Sequence, residues 1–254
     1  MQPDNQIRSY FETLYHSWGR QHWWPAQSAF EVIVGAYLTQ NTSWTNVERA
    51  LGSLRAARIL SLRGIRRTPL PHLERLIRSA GYFRQKARRI RIFVSFLDER
   101  YAGSLTGMFA QPTVKLREEL LGLEGVGPET ADSILLYGGN HHVFVVDAYT
   151  RRILDRHRLV GARASYEEMR DLFEKALGPS AEQLLKPISA PAVASGPSGS
   201  GHAPSCMSIA QRTASAQVFN EMHGLIVGVG KNFCKKSQPA CERCPLQKFL
   251  PGAE

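Results

Sequence analysis

No apolar run in this sequence approaches the roughly 20 residues needed to cross a bilayer. The opening Met1-Gln2-Pro3-Asp4-Asn5 lacks the basic start and apolar centre of a secretory leader. A cytoplasmic location follows as the expectation, at the nucleoid of a bacterial-type cell and away from membranes. Four cysteines in 254 residues are too few for a disulfide framework. Strand signals are scarce as well. Only Val143–Val146 resembles a strand, and so short a segment cannot found a sheet, so it reads as an extended buried connection. Negative charge is the minority sign: 22 Asp and Glu stand against 32 Lys and Arg, and the net charge of +10 makes a polyanion the first partner to test, nucleic acid before membrane. With 43% hydrophobic and 21% charged residues, the composition is that of a globular chain large enough for one large or two small domains.

One stretch stands apart. Residues 187–215 read PISAPAVASGPSGSGHAPSCMSIAQRTAS, with Pro, Gly, Ser and Ala at most positions and Arg212 as the only charge. Such a segment cannot bury enough apolar surface to offset its ordering entropy, and it reads as a disordered insertion containing Cys206. The rest is helical in pattern. Phe30, Ile33, Val34, Tyr37 and Leu38 mark one buried face, and Leu116, Leu120, Leu121 and Leu123 another. Leu73, Leu76 and Ile77, then Ile90, Phe93, Val94 and Leu97, then Met169, Leu172, Phe173 and Leu177, repeat the spacing. The fold class is all-α.

The segment Leu120-Leu121-Gly122-Leu123-Glu124-Gly125-Val126-Gly127-Pro128-Glu129-Thr130-Ala131 carries the most information. A helix ends near Gly122, a Gly-x-Gly turn follows, and Pro128 suits the first position of the next helix. Such a turn either joins an ordinary helix hairpin or holds a phosphate backbone against its exposed N–H groups. Asp147 then follows in Val145-Val146-Asp147-Ala148-Tyr149-Thr150-Arg151-Arg152, a carboxylate at the start of a helix, where it serves as an N-cap, as a catalytic group, or as both.

At these two segments the chain resembles the helix-hairpin-helix (HhH-GPD) DNA glycosylase superfamily of the endonuclease III type, in which LxGVGxxTA precedes VDxxxxR at this spacing. Tyr37-Leu38-Thr39-Gln40-Asn41-Thr42, Gly81-Tyr82-Phe83-Arg84-Gln85-Lys86-Ala87, His223-Gly224-Leu225-Ile226 and the cysteines are similar to further family segments. The resemblance implies two helical lobes, a six-helix barrel over 28–141 and a second lobe from 1–27 and 142–254, with DNA in the groove between them. It implies excision of a flipped, damaged base from double-stranded DNA by a monomeric enzyme. Asp147 is the expected catalytic residue, stabilising positive charge on the sugar or activating water. Gln40, Leu123, Gly125, Val126 and Gly127 are the expected DNA contacts.

Members that also cut the backbone carry a lysine where this chain has Glu129. A carboxylate forms no imine, so the resemblance points to a monofunctional enzyme, with Lys115 and Lys231 as the only substitutes worth naming. Trp23, Trp24 and Trp44 are either core or the walls of a base pocket; their setting is similar to that of the endonuclease-III-like 3-methyladenine glycosylases, and indole attracts electron-poor alkylated purines. The alternatives are an endonuclease III-type glycosylase and lyase acting on oxidised pyrimidines, and a non-catalytic DNA-binding module. Arg84, Lys86, Arg88, Arg89 and Arg91 form a basic run that either meets phosphate or is simply solvated. Cys234, Cys241 and Cys244 are spaced as in the family's iron–sulfur loop, but the position of the fourth ligand is Leu250. Three readings stay open: a [4Fe–4S] cluster completed by Cys206 or a non-cysteine ligand, a zinc site assisted by a residue such as His223, or a loop without metal.

Overall fold

In a computed structural model, which describes residues 2–186 and 202–252, the chain is built from helices, with no strand among the described residues. In chain order these are α1 (Pro3–Trp18), α2 (Ala29–Leu38), α3 (Trp44–Ala56), α4 (Leu62–Arg67), α5 (Leu70–Leu76), α6 (Phe83–Tyr101), α7 (Leu105–Phe109), α8 (Thr113–Leu121) and α9 (Pro128–Ser133). Further along come α10 (Ala148–Arg156), α11 (Tyr166–Leu177), α12 (Ala181–Leu184) and α13 (Ala214–Asn232). The chain divides into two compact units, Ala26–Gly139 and a second made of Met1–Pro25 with Asn140–Glu254.

The unit Ala26–Gly139 is organised around α2. Ser28 caps this helix by accepting the Glu31 N–H, and every residue from Phe30 to Leu38 is buried, the one carboxylate, Glu31, being paired with Arg55. More helical segments occur here than the six-helix barrel of the sequence reading, because short pieces such as α4 and α7 break the connections. Arg91 of α6 closes the end of α4, donating to the carbonyls of Ile65 (2.6 Å) and Thr68 (2.8 Å).

In the second unit α13 is the centre, buried at nearly every position from Ala216 to Gly230. Two of its glycines admit close neighbours: a Cβ at Gly224 would stand 2.8 Å from the Gln21 Cβ, and one at Gly230 would stand 2.1 Å from the Tyr149 ring. Val143–Val146 is buried and belongs to no helix, and Phe144 stacks on Phe173 of α11 at 4.1 Å. α11 begins with a capping box between Ser165 and Glu168.

Of the expected insertion, 187–201 lies outside the described residues. From 202 onward the chain is not featureless. Ser205 and Ser208 are buried and bond each other, Ser205 Oγ donates to the Trp24 carbonyl at 3.3 Å, and α13 already begins at Ala214. The serines counted as disorder-promoting here satisfy backbone groups instead.

Candidate active site and helical hairpin

The hairpin is formed by α8, the turn Gly122–Gly127 and α9. Gly125 has φ +77°, a conformation that glycine adopts freely, and the Val126 N–H closes the turn onto the Leu123 carbonyl at 3.1 Å. Pro128 occupies the first turn of α9. A buried ion pair clamps the two helices: the Arg117 guanidinium meets both oxygens of Asp132, at 2.7 and 3.1 Å, and Asp132 is fully buried. Gly125 and Gly127 are exposed, Leu123 is half-buried and Val126 is buried.

Gln40 is joined to this turn directly. Its Nε2 donates to the Gly125 carbonyl and to Thr130 Oγ1, both at 2.9 Å, and its Oε1 accepts from Arg89 at 3.1 Å. Two segments selected separately in the sequence thus meet through one amide. Behind Gln40 lies Lys86, which corrects the reading of the basic run as one exposed face. Lys86 is 2% exposed, and its ammonium donates to the carbonyls of Leu38 (2.8 Å), Gln40 (2.7 Å) and Ala80 (2.8 Å). It caps the carboxyl end of α2 and holds the backbone that carries Gln40. Arg88 pairs with Glu124 of the turn at 3.0 Å.

In the second unit Asp147 is the N-cap of α10. Its Oδ1 accepts the Thr150 N–H (2.7 Å) and the Thr150 hydroxyl (2.9 Å). Its Oδ2 faces His223 Nε2 at 3.4 Å. Burial alone raises the carboxyl's pKa, but the His223 imidazole and the Thr150 donors outweigh it and hold the group below the usual carboxylate range. His223 packs against Trp23 edge to face, with ring centres 5.7 Å apart, and against Phe144. No local pattern around Asp147 points to His223, which comes from α13; the His-Gly pair was visible in the sequence, its partner was not.

Trp23 and Trp24 are 6% and 4% exposed, packed on each other and, for Trp23, on His202. Trp44 belongs to the other unit and is half-buried at the start of α3. Glu129 is exposed on α9.

Cys234, Cys241 and Cys244 line one small cavity together with Leu250 and His157. Arg156 donates to Cys234 Sγ at 3.1 Å, and burial pushes the Cys244 thiol up to about 11. The fourth position contributes a Leu250 side chain, and among the described residues no group of three or more His, Cys, Asp or Glu is placed to hold a metal ion. These residues do not fit a four-thiolate cluster. Of the other ligands considered, Cys206 is exposed and does not line this cavity, and His223 stands at Asp147; His157, which does line it, has its Nδ1 engaged by the Tyr10 hydroxyl at 2.6 Å.

Residues 34–179 match the HhH-GPD superfamily of base excision DNA repair proteins. A protein of Methanocaldococcus jannaschii named as a candidate DNA repair glycosylase is 37% identical over 96% of this chain and 94% of its own length. Endonuclease III of Thermotoga maritima is 28% identical over 86% of this chain and 80% of its own. Among solved structures, the H. pylori 3-methyladenine DNA glycosylase bound to 1,N6-ethenoadenine superimposes with a TM-score of 0.70 at 25% identity, over 91% of this chain and 98% of that one.

Proposed function

We propose, on the premise that the chain belongs to the HhH-GPD superfamily and is a base excision repair DNA glycosylase, that it is a monofunctional enzyme removing alkylated purines with Asp147 as its catalytic carboxylate. The observation that carries this reading is the setting of Asp147: one oxygen is committed to the helix cap, the other faces His223, and the group is held ionised. As the glycosidic bond breaks, positive charge builds on the sugar, and a fixed anion there stabilises the transition state more than the ground state. Water adds to the anomeric carbon and gives up its proton to bulk water, and the base departs with the bonding electrons. An alkylated purine of the 3-methyladenine type is already cationic and departs neutral, so one carboxylate is sufficient chemistry. Glu129 at the lysine position supports the monofunctional mode, since it cannot attack the sugar as an amine. The likeness to a 3-methyladenine glycosylase supports the substrate class.

Single-turnover incubation with duplexes carrying 3-methyladenine, 1,N6-ethenoadenine or thymine glycol tests the reading. Excision of the alkylated purines, with no borohydride-trapped protein–DNA adduct, is expected. Preferred removal of thymine glycol, or efficient trapping, would put the bifunctional endonuclease III-type reading in its place.

In the same proposal the hairpin grips the DNA backbone through Leu123, Gly125, Val126 and Gly127, with Gln40 filling the space of the extruded base. Gly127 isolates the first contact. It has φ −98°, and a Cβ added there meets nothing within 4 Å, so Gly127→Ala should leave the melting temperature unchanged. Loss of one or two backbone contacts should weaken duplex binding about 5- to 30-fold for all sequences alike, roughly 1–2 kcal/mol. Unchanged affinity in a filter-binding titration would remove Gly127 from the interface. Gly125→Ala is a poorer probe, because its Cβ would fall 2.0 Å from Arg89 Nε.

A further inference from the structure

The two oxygens of Asp147 have different surroundings, and the difference assigns work to a residue that the reaction scheme leaves idle. Oδ1 is saturated by the two Thr150 donors, so the α10 cap fixes one end of the carboxylate. Rotation about the last side-chain bond is then governed by what meets Oδ2, and that neighbour is His223 Nε2 at 3.4 Å. An ionised carboxylate only accepts, so a hydrogen bond across this contact requires a hydrogen on Nε2.

The imidazole is itself held in place. Its side chain is 5% exposed, with the Trp23 ring edge to face on it and Phe144 beyond. The segment bearing Trp23 is tied to the same helix: the Gln21 N–H donates to Glu221 Oε2 at 2.7 Å, Arg20 reaches Glu221 at 3.5 Å, and Gly224 leaves room for the Gln21 and Trp23 side chains. A leucine or phenylalanine would fill such an apolar seat equally well. What the imidazole adds is a ring nitrogen 3.4 Å from Asp147 Oδ2.

We propose that His223 is a positioning residue for base excision, orienting Asp147 Oδ2 through its Nε2–H and acting only through that carboxylate. The proposal rests on the reading of Asp147 as the catalytic group. It gives the Trp23–His223–Asp147 contact series a role in setting the carboxylate plane, which is the geometry a developing sugar cation must meet.

The test uses the duplex excised fastest in the panel above. His223→Leu should lower single-turnover excision about 10- to 100-fold with duplex Kd within about twofold, as expected for loss of orientation rather than of binding. His223→Gln, which can place an amide donor near the former Nε2, should recover most of that loss. In the double variant with Asp147→Asn, His223→Leu should add nothing further. Wild-type excision by a folded His223→Leu protein, or an equal loss in the Asp147→Asn background, overturns the proposal. Asp147→Asn with full activity instead overturns the reading beneath it, so the two failures are separate. Should His223→Leu not fold, nitrogen-15 NMR of the unaltered protein decides: Nε2 must be protonated and its resonance must move in Asp147→Asn, and an Nδ1–H tautomer sinks the idea.

Discussion

Asp147→Asn is expected to lower single-turnover excision by a factor on the order of 100 or more while leaving duplex affinity within about twofold. The substitution is informative because it separates the two roles this side chain can hold. Asparagine is as good an N-cap as aspartate, so its oxygen can still accept the Thr150 N–H and the start of α10 is preserved. What disappears is the charge, and charge is what a sugar cation feels. A residue that merely capped its helix would show neither a rate loss nor a large change in melting temperature, and a non-catalytic DNA-binding module would have no excision to lose.

The pH dependence follows from the direction of the shift. His223 and Thr150 hold the folded carboxyl below its ordinary value of about 3.9, so the group stays charged to lower pH than an exposed carboxylate does. The acid limb of the excision profile, as far as Asp147 sets it, should lie below the usual carboxylate range. For stability, a depressed carboxylate contributes above its unfolded pKa and loses that contribution as pH falls through its folded pKa. Wild type and Asp147→Asn should therefore converge in unfolding free energy in strong acid, and a gap independent of pH would show that the charge is not held as described.

How much of this was legible in the sequence depends on the range of the interaction. The hairpin was legible because its signals are local: a glycine that must take positive φ, a proline suited to a helix start, and apolar residues spaced for one face. Asp147 as a cap was legible for the same reason. The partner of Asp147 was not, since His223 reaches it from α13 and nothing in a histidine's neighbours announces a distant carboxylate. The burial of Asp132 beneath Arg117 was hidden in the same way, for both residues look like surface charges until the hairpin closes. The tryptophans show another limit. Composition marks an aromatic cluster, but whether Trp23 and Trp24 face solvent depends on what covers them, here including Ser205 and His202 from a stretch that reads as structureless. Lys86 was misread because a lysine among arginines on an amphipathic helix is usually solvated, and only the carbonyls of Leu38, Gln40 and Ala80, converging from two other segments, make its burial favourable.

Lys86→Met should be the most destabilising of the substitutions considered, at about 3 kcal/mol, with a fall in melting temperature of roughly 6–12 °C for a chain of this size. Methionine fills similar space but donates nothing, so three carbonyls at the end of α2 and beside it lose their donor. Leaving a buried acceptor unmatched costs roughly 1–3 kcal/mol each. The total is reduced because the cost of burying an ammonium is also removed. That cost is visible in the wild-type protein, where burial, aided by the charge of Arg89, pushes Lys86 down to about 8. In the unfolded chain the same lysine titrates near about 10.4, so between these values the unfolded state binds the extra proton. The contribution of Lys86 to stability therefore rises with pH from about 8 to 10, and the gap between wild type and Lys86→Met in denaturant unfolding should widen over that interval. The backbone of Gln40 should respond in the opposite sense. A neutral amine has two hydrogens for three carbonyls, so hydrogen-exchange protection around Gln40 should decline over the range in which global stability gains. A narrowing stability gap, or protection at Gln40 that follows global stability upward, would show that the ammonium does not hold this loop.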